Sequence, residues 1–324
     1  MNDRKKTIFI VGLSSMVGSN LAEILKNRYR VIGSYHKNPI EIDGVLSVQC
    51  DITDKEQVRR VMYLFKPDFT IYAAGLTSLE DCQNDPQLSD SLNTGGIFHV
   101  TSATERYNSR FIYISSSYIF SGEKKCFLEH DSPTPSSVYG NSVTSAEFYI
   151  QKSCLNYMIL RCSPFIGRTF HPQDLSFTEY LDKNNMFNRK IICDSVVYNG
   201  YLDFYTLAQV VDRAIRRGVI NKVYNVTTMN MMNRYELAYE YMQEFNMNTN
   251  LLVKGEWGFP RTENKLALQN LGEELFFELD TKLIERELDF KPPSIKEVVK
   301  RFKMSVEKNI EVKDRKKTDG INFI

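Results

Sequence analysis

The stretch V-Y-G-N-S-V-T at residues 138–144 places Tyr139 downstream of a hydroxyl-rich run, I-S-S-S-Y-I-F, at residues 114–120. A phenol in such a setting reads as a proton donor to a reacting oxygen. Residues four apart share one face of a helix, so position 143 is where a lysine would serve that phenol. The residue there is Val143. The spacing therefore presents a candidate acid with no cation one helical turn along.

A second constellation lies near the start of the chain. G-L-S-S-M-V-G runs from Gly12 through Ser14, Ser15, Met16 and Val17 to Gly18, between a strand-like and a helix-like segment. Such a turn offers free backbone N–H groups and the positive end of a helix dipole, which suits a pyrophosphate. Gly12 permits the tight turn, and Gly18 lets the helix lie close on the sheet. Ser15 stands where a middle glycine would sit; its Cβ crowds a phosphate, while its hydroxyl offers a donor. A plain strand-to-helix turn would show the same spacing. The second strand ends in G-S-Y-H-K-N, with His36 and Lys37 in place of the carboxylate that accepts from an adenosine ribose 2′-hydroxyl. This favours NADP, with NAD as second choice, although an exposed basic turn reads the same way. Asp51, followed by Ile52 in C-D-I-T-D, reads either as a contact to the adenine edge or as a helix N-cap.

The elements that must hold these residues alternate through the first half. Strand-like runs at 7–12, 30–35, 45–50, 69–75, 110–116 and 156–162 are separated by helix-like segments, of which 55–65 is the clearest. Repeated β-α units of this length predict a doubly wound, Rossmann-type parallel sheet. After about residue 165 the pattern loosens, with helix-like stretches at 206–217, 233–246 and 294–307 and a further strand at 222–226. The expected organisation is a nucleotide-binding domain over 1–165, with later strands returning to the sheet. A smaller substrate lobe follows over 166–307, then a charged tail over 308–324 whose composition favours partial disorder.

Composition narrows the class. Of 324 residues, 42% are hydrophobic and 25% charged, and the net charge is +1, so bulk electrostatics points to neither nucleic acid nor membrane. M-N-D-R-K-K-T lacks the apolar core of a signal peptide, and no apolar run reaches the ~18 residues of a membrane span. The six cysteines are scattered with no C-x-x-C pair, which reads as reduced thiols in a cytoplasmic protein with no metal site.

Together these stretches resemble the extended short-chain dehydrogenase/reductase family, and within it the dTDP-4-dehydrorhamnose reductase group. That group also includes a regulatory partner protein, the beta subunit of methionine adenosyltransferase. The resemblance runs through most of the chain: the glycine turn, C-D-I-T-D, Y-A-A-G at 72–75, S-L-N-T-G-G with Asn93, Y-I-S-S-S-Y-I-F-S-G, E-H-D-S-P-T-P-S-S-V-Y-G, and E-L-D-T-K-L-I-E-R-E-L-D-F-K-P-P-S. It implies that Ala73, Ala74 and Gly75 lie under the cofactor and that Asn93 is structural. Ser116 would polarise a substrate carbonyl, Tyr139 would donate its proton, and Pro164 would lie near the nicotinamide. Ser117 and Tyr118 would border a sugar nucleotide. Glu147 falls where the family's helix carries a glutamate. Arg261, in W-G-F-P-R-T-E-N, falls at a nucleotide-binding segment whose Arg-Pro order is inverted here, and Trp257 and Phe259 beside it read as packing or as base stacking. The resemblance permits a monomer or a homodimer.

Three departures from the family pattern stand at Ser15, at Ser117 (an aspartate in the family) and at Val143 (the lysine of Y-x-x-x-K). A unit charge ~5 Å away at an effective dielectric constant of ~20 is worth about 3 kcal/mol, or roughly two pKa units. Oxidising an alcohol needs a tyrosinate near neutral pH, whereas reducing a ketone needs a protonated phenol, which needs no lysine. Lys124 and Lys125 are the candidates to replace the missing charge; Lys152 lies too far along the helix. Two functions follow. One is NADP-dependent reduction of a nucleotide-linked 4-keto-6-deoxy sugar. The other is a catalytically silent relative that binds the same ligands and regulates a partner protein. Dehydratase or epimerase chemistry is disfavoured, because it begins with the oxidising step.

Overall fold

The computed structural model describes residues 4–170, 175–255 and 274–319. The main strands are β1 (Thr7–Val11), β2 (Arg30–Tyr35), β3 (Leu46–Gln49), β4 (Phe69–Tyr72), β5 (Arg110–Ser116) and β6 (Tyr157–Cys162). Shorter strands follow: β7 (Phe165–Ile166), β8 (Ile191–Cys193), β9 (Val197–Asn199) and β10 (Leu202–Asp203), then β11 (Lys222–Val226), β12 (Leu252–Lys254) and β13 (Leu275–Phe277). The helices are α1 (Met16–Leu25), α2 (Lys55–Phe65), α3 (Leu79–Asn84), α4 (Pro86–Asp90), α5 (Gly96–Arg106) and α6 (Val138–Ser153). They continue with α7 (Phe177–Met186), α8 (Phe204–Arg217), α9 (Arg234–Glu244), α10 (Lys282–Leu288) and α11 (Ile295–Asp319).

Seven strands form one parallel sheet in the order β11-β6-β5-β4-β1-β2-β3. The run T-I-F-I-V of β1 is buried throughout, as a central parallel strand must be when helices cover both faces. Its side chains alternate between two cores. Ile8 and Ile10 join Leu21, Leu207, Val211 and Ile284 under α1, α8 and α10. Phe9 and Val11 join Val58, Met62, Ile97, Val143 and Ile150 under α2, α5 and α6. This is a doubly wound, Rossmann-type α/β fold. Its strand order reverses between β1 and β4, and the crevice at their C-terminal ends is where such a sheet receives a ligand.

The remaining elements pack around a third core of Leu181, Ile191, Tyr241, Leu252, Ile295 and Val299. Short parallel ladders pair β7 with β10, β8 with β12 and β9 with β13. Helices α8 and α10 belong with the sheet rather than with this third core, so the chain crosses between the two bodies more than once. α11 runs as helix through the start of the charged tail to Asp319. Among the described residues no helix is long and apolar enough to cross a membrane. All six cysteines are free thiols.

Candidate active site

The crevice begins at the turn after β1. Gly12 takes φ +86, and a Cβ there would lie 2.7 Å from the Ala74 Cα. At Gly18 a Cβ would meet the Gly12 carbonyl oxygen at 2.1 Å, so only glycine lets α1 sit on the turn. Ser15 is the N-cap of α1: its Oγ accepts from the Gly18 amide at 2.9 Å and lies within donating distance of the Gly12 and Ala73 carbonyls, 2.7 and 2.9 Å. Its hydroxyl is thus committed to the turn and does not serve as the free phosphate donor allowed for in the sequence reading. The capped turn still presents the first-turn amides of Met16 and Val17, which have no helical acceptor. A helix N-terminus with free first-turn amides at the switch point of the sheet fits a pyrophosphate, so the residues present suit a dinucleotide.

At the ends of β2 and β3 the structure adds what the sequence did not show. Imidazole Nε2 of His36 lies 3.4 Å from a carboxylate oxygen of Asp51. Partial burial alone would raise the Asp51 carboxyl, but the Thr53 hydroxyl and amide, with His36, outweigh it and hold the carboxyl below its ordinary value. The N-cap of α2 is Asp54, which accepts from the Glu56 and Gln57 amides, so the N-cap alternative for Asp51 is corrected. Ile52 is buried, and its carbonyl lies 3.0 Å from Nδ1 of His99. Lys37 is exposed.

Past β4, Ala73 and Ala74 leave the sheet as loop, and Gly75 takes φ +137. Asn93 holds this loop: its Oδ1 accepts from the Leu76 amide at 2.8 Å and its Nδ2 donates to the Leu76 carbonyl at 2.9 Å. The same Nδ2 reaches Ser142 Oγ on α6 at 2.9 Å, and that hydroxyl donates to the Tyr139 carbonyl at 2.8 Å. Asn93 can do this because Ser91–Gly95 is a π-helical turn, which pushes one residue out of the regular ladder. Ser142 was missed by sequence reasoning, since a serine in mid-helix carries no signal of its own.

Tyr139 lies in the first turn of α6, whose N-cap Ser137 accepts from the Gly140 amide. A Cβ on Gly140 would meet the Tyr118 carbonyl at 2.3 Å, so this glycine lets the helix start press against the 3-10 turn Ser117–Ile119. Ser116 caps that turn through the Tyr118 amide, at 3.2 Å. Tyr139 and Ser116 therefore stand on two elements in direct contact. Beneath them Tyr113 is buried; desolvation lifts its phenol well above the ordinary value, and the nearby Tyr139 adds to the rise.

Other expected residues are placed differently. Ser117 is fully buried with its hydroxyl unpartnered, so it presents nothing to a ligand in this structure. Tyr118 is 7% exposed and packs edge-on against Phe277 at 4.9 Å, making it chiefly part of a small core with Val197 and Leu275. Val143 is 3% exposed in the core under α6, a site that holds a valine well and an ammonium poorly. Neither proposed substitute lysine answers for it: Lys124 is exposed and paired with Asp131 at 2.5 Å, and Lys125 is exposed. Pro164 stands half-buried just past β6, its carbonyl accepting from the Leu202 amide. Arg261, Trp257 and Phe259 lie outside the described residues.

A doubly wound sheet with a glycine-bearing turn at its switch point, and a tyrosine-bearing helix turn packed against a serine-capped turn at the adjacent strand end, is the arrangement of the extended short-chain dehydrogenase/reductase class. Residues 6–306 match the family described as the RmlD substrate binding domain, and the chain belongs to that family. It is 29% identical over 169 residues to a probable low-salt glycan biosynthesis reductase, Agl14, of Haloferax volcanii, covering 52% of this chain and 56% of that protein. With dTDP-4-dehydrorhamnose reductase of Aggregatibacter actinomycetemcomitans it shares 29% identity over 161 residues, 49% of this chain and 52% of the other. These two matches span only about half the length of each relative. The beta subunit of methionine adenosyltransferase 2 from Bos taurus is 21% identical, over 76% of this chain and 74% of that one. The crystal structure of dTDP-4-dehydrorhamnose reductase from Bacillus anthracis, in complex with NADP, superposes with a TM-score of 0.79 at 20% identity, covering 94% of this chain and all of that one.

Proposed function

We propose that this protein reduces the ketone of a nucleotide-linked 4-keto-6-deoxy sugar with NADPH. The observation that carries the reading is the contact, permitted by Gly140, between the helix turn bearing Tyr139 and the turn capped by Ser116. The cofactor supplies the hydride when bound. Gly12 to Gly18 would hold its pyrophosphate on the α1 amides, with Ala73, Ala74 and Gly75 beneath and Pro164 toward the nicotinamide end. His36 and Lys37 would serve the adenosine ribose, and Asp51 the adenine. Ser116 donates a hydrogen bond to the substrate carbonyl oxygen, and Tyr139 gives that oxygen its proton as the carbon is reduced. Val143 offers no charge that would favour a tyrosinate, which suits a donor working toward reduction. The sugar nucleotide lies between the strand ends and the smaller lobe, in a soluble enzyme of deoxysugar or polysaccharide biosynthesis.

Mixing the purified protein with NADPH and a panel of nucleoside-diphosphate 4-keto-6-deoxyhexoses, and following absorbance of the reduced nicotinamide, tests this directly. Turnover that Tyr139→Phe abolishes is the expected result. Tight NADPH binding with no turnover on any sugar would overturn it. That outcome would favour the second reading, a silent regulatory subunit, which has the buried Val143 and the similarity to the methionine adenosyltransferase beta subunit in its favour.

A further inference from the structure

Two turns beyond Tyr139, α6 carries Glu147, a carboxylate 1% exposed. Arg161 on β6, 3% exposed, meets it closely. Its Nε lies 3.2 and 3.1 Å from the two carboxylate oxygens, and its Nη2 lies 2.8 Å from Oε2. Ser115 stands directly across the β5–β6 ladder from Arg161 and donates to Glu147 Oε1 at 2.5 Å. The guanidinium also donates from Nη1 to the Glu129 carbonyl at 2.9 Å and lies over the Phe120 ring, 5.4 Å from its centroid.

Removing two charges from water costs more than their attraction returns unless the geometry is tight, and an apolar pair of equal volume is often as stable. Stability alone is therefore a poor reason for a buried carboxylate here. What the pair does is join elements. Ser115 is the residue before Ser116; Phe120 follows the 3-10 turn that Ser116 caps; Glu129 lies in the connection from that turn to α6, well before its N-cap Ser137; Glu147 lies on α6 itself. Each segment that carries Ser116 or Tyr139 ends on the same guanidinium and carboxylate.

We propose that Ser115, Glu147 and Arg161 are positioning residues that set Ser116 and Tyr139 relative to one another for ketone reduction. The inference rests on the reductase reading and extends it. A directional buried network of hydrogen bonds constrains β5 against α6 along several axes, adding to the non-directional apolar packing between them. Misplacing a reacting group by about 1 Å costs about a hundredfold in rate.

Ser115→Ala removes one donor and leaves Arg161 paired with Glu147, so the fold should persist. Its kcat should fall roughly ten- to a hundredfold, while the KM for NADPH changes by less than about twofold. Ser115→Thr, which keeps the hydroxyl, should recover most of the rate. A second variant, Glu147→Met with Arg161→Met, exchanges the pair for apolar volume and should fold yet reduce slowly. Unchanged kcat in either folded variant, whatever happens to Tm, would make the network merely structural and overturn the proposal. If the wild-type protein shows no turnover, the reductase reading falls and this inference falls with it. Wild-type turnover with unaffected variants defeats the positioning role alone.

Discussion

Asn93 and Ser142 are joined by a 2.9 Å hydrogen bond, and Ser142 passes the connection on to the Tyr139 carbonyl at 2.8 Å. The loop that leaves β4 beneath the cofactor crevice is thereby tied to the helix turn bearing the candidate acid. Asn93→Ala would strand the Leu76 amide and take a donor from both the Leu76 carbonyl and Ser142 Oγ, which keeps its bond to the Tyr139 carbonyl. An unsatisfied buried polar group costs ~1–3 kcal/mol, so we expect a loss of that order in urea unfolding, with a lower reduction rate. Full stability in the variant would show that water replaces the amide.

Val143→Lys tests the most conspicuous departure. The side chain is packed in the core under α6, so an ammonium there should destabilise the protein by a few kcal/mol and lower its Tm. Its charge would favour the tyrosinate. The pH above which ketone reduction declines should therefore move down relative to wild type. A variant whose pH profile for ketone reduction is unshifted would contradict the account of Val143 given above.

Gly18→Ala places a Cβ 2.1 Å from the Gly12 carbonyl oxygen, a contact that backbone must move to relieve. Overpacking of this kind costs ~1–3 kcal/mol, and the shift would also turn the α1 amides away from a pyrophosphate. Calorimetric titration with NADPH should show binding lost or greatly weakened. Retained affinity would place the dinucleotide elsewhere.

Lys37→Glu reverses the exposed charge at the end of β2. Exposed ion pairs contribute up to ~1 kcal/mol, so the NADPH-to-NADH preference should fall about fivefold. The 3.4 Å approach of Asp51 to His36 makes the converse prediction: Asp51→Asn leaves more uncompensated positive charge there and should strengthen the preference for NADPH. Competitive binding of the two reduced cofactors measures both. An unchanged ratio in both variants would remove this corner from cofactor choice.

Asp212 on α8 receives the Tyr29 hydroxyl at 2.8 Å and pairs with Arg28 at 2.5 Å and Arg216 at 3.0 Å, fastening α8 to the end of α1. Burial works to raise its carboxyl, but the Tyr29 and Arg28 hydrogen bonds and the two arginine charges prevail and leave it below the ordinary value. A depressed folded pKa contributes stability that is present above the unfolded carboxylate value of ~3.9. That stability is lost as pH falls through the lower, folded value. Asp212→Asn should thus be less stable than wild type at neutral pH, and the gap should close in acid. Parallel acid-unfolding curves would exclude the linkage.

The sequence by itself determined the strands of the sheet and the glycine turn after the first of them. Continuous apolar runs at 30–35, 110–116 and 222–226 became β2, β5 and β11 at those bounds, and G-L-S-S-M-V-G fell between β1 and α1. Strand burial on both faces and turn glycines are local requirements, so they leave a local pattern. The run expected to 12 stopped at Val11, where Gly12 turns to positive φ, and the run expected to 75 stopped at Tyr72, ahead of the loop in which Gly75 takes positive φ. Only the tertiary structure decided how side chains spend their polar atoms. Ser15 caps a helix, Ser117 faces inward, Asp51 answers His36, and Glu147 closes on Arg161 and Ser115. Those outcomes depend on partners distant in sequence, brought together by the packing of the β-α layers. Spacing along the chain could name Tyr139 and Val143, but only the packed fold could show that the valine belongs to the core and the tyrosine to the turn beside Ser116.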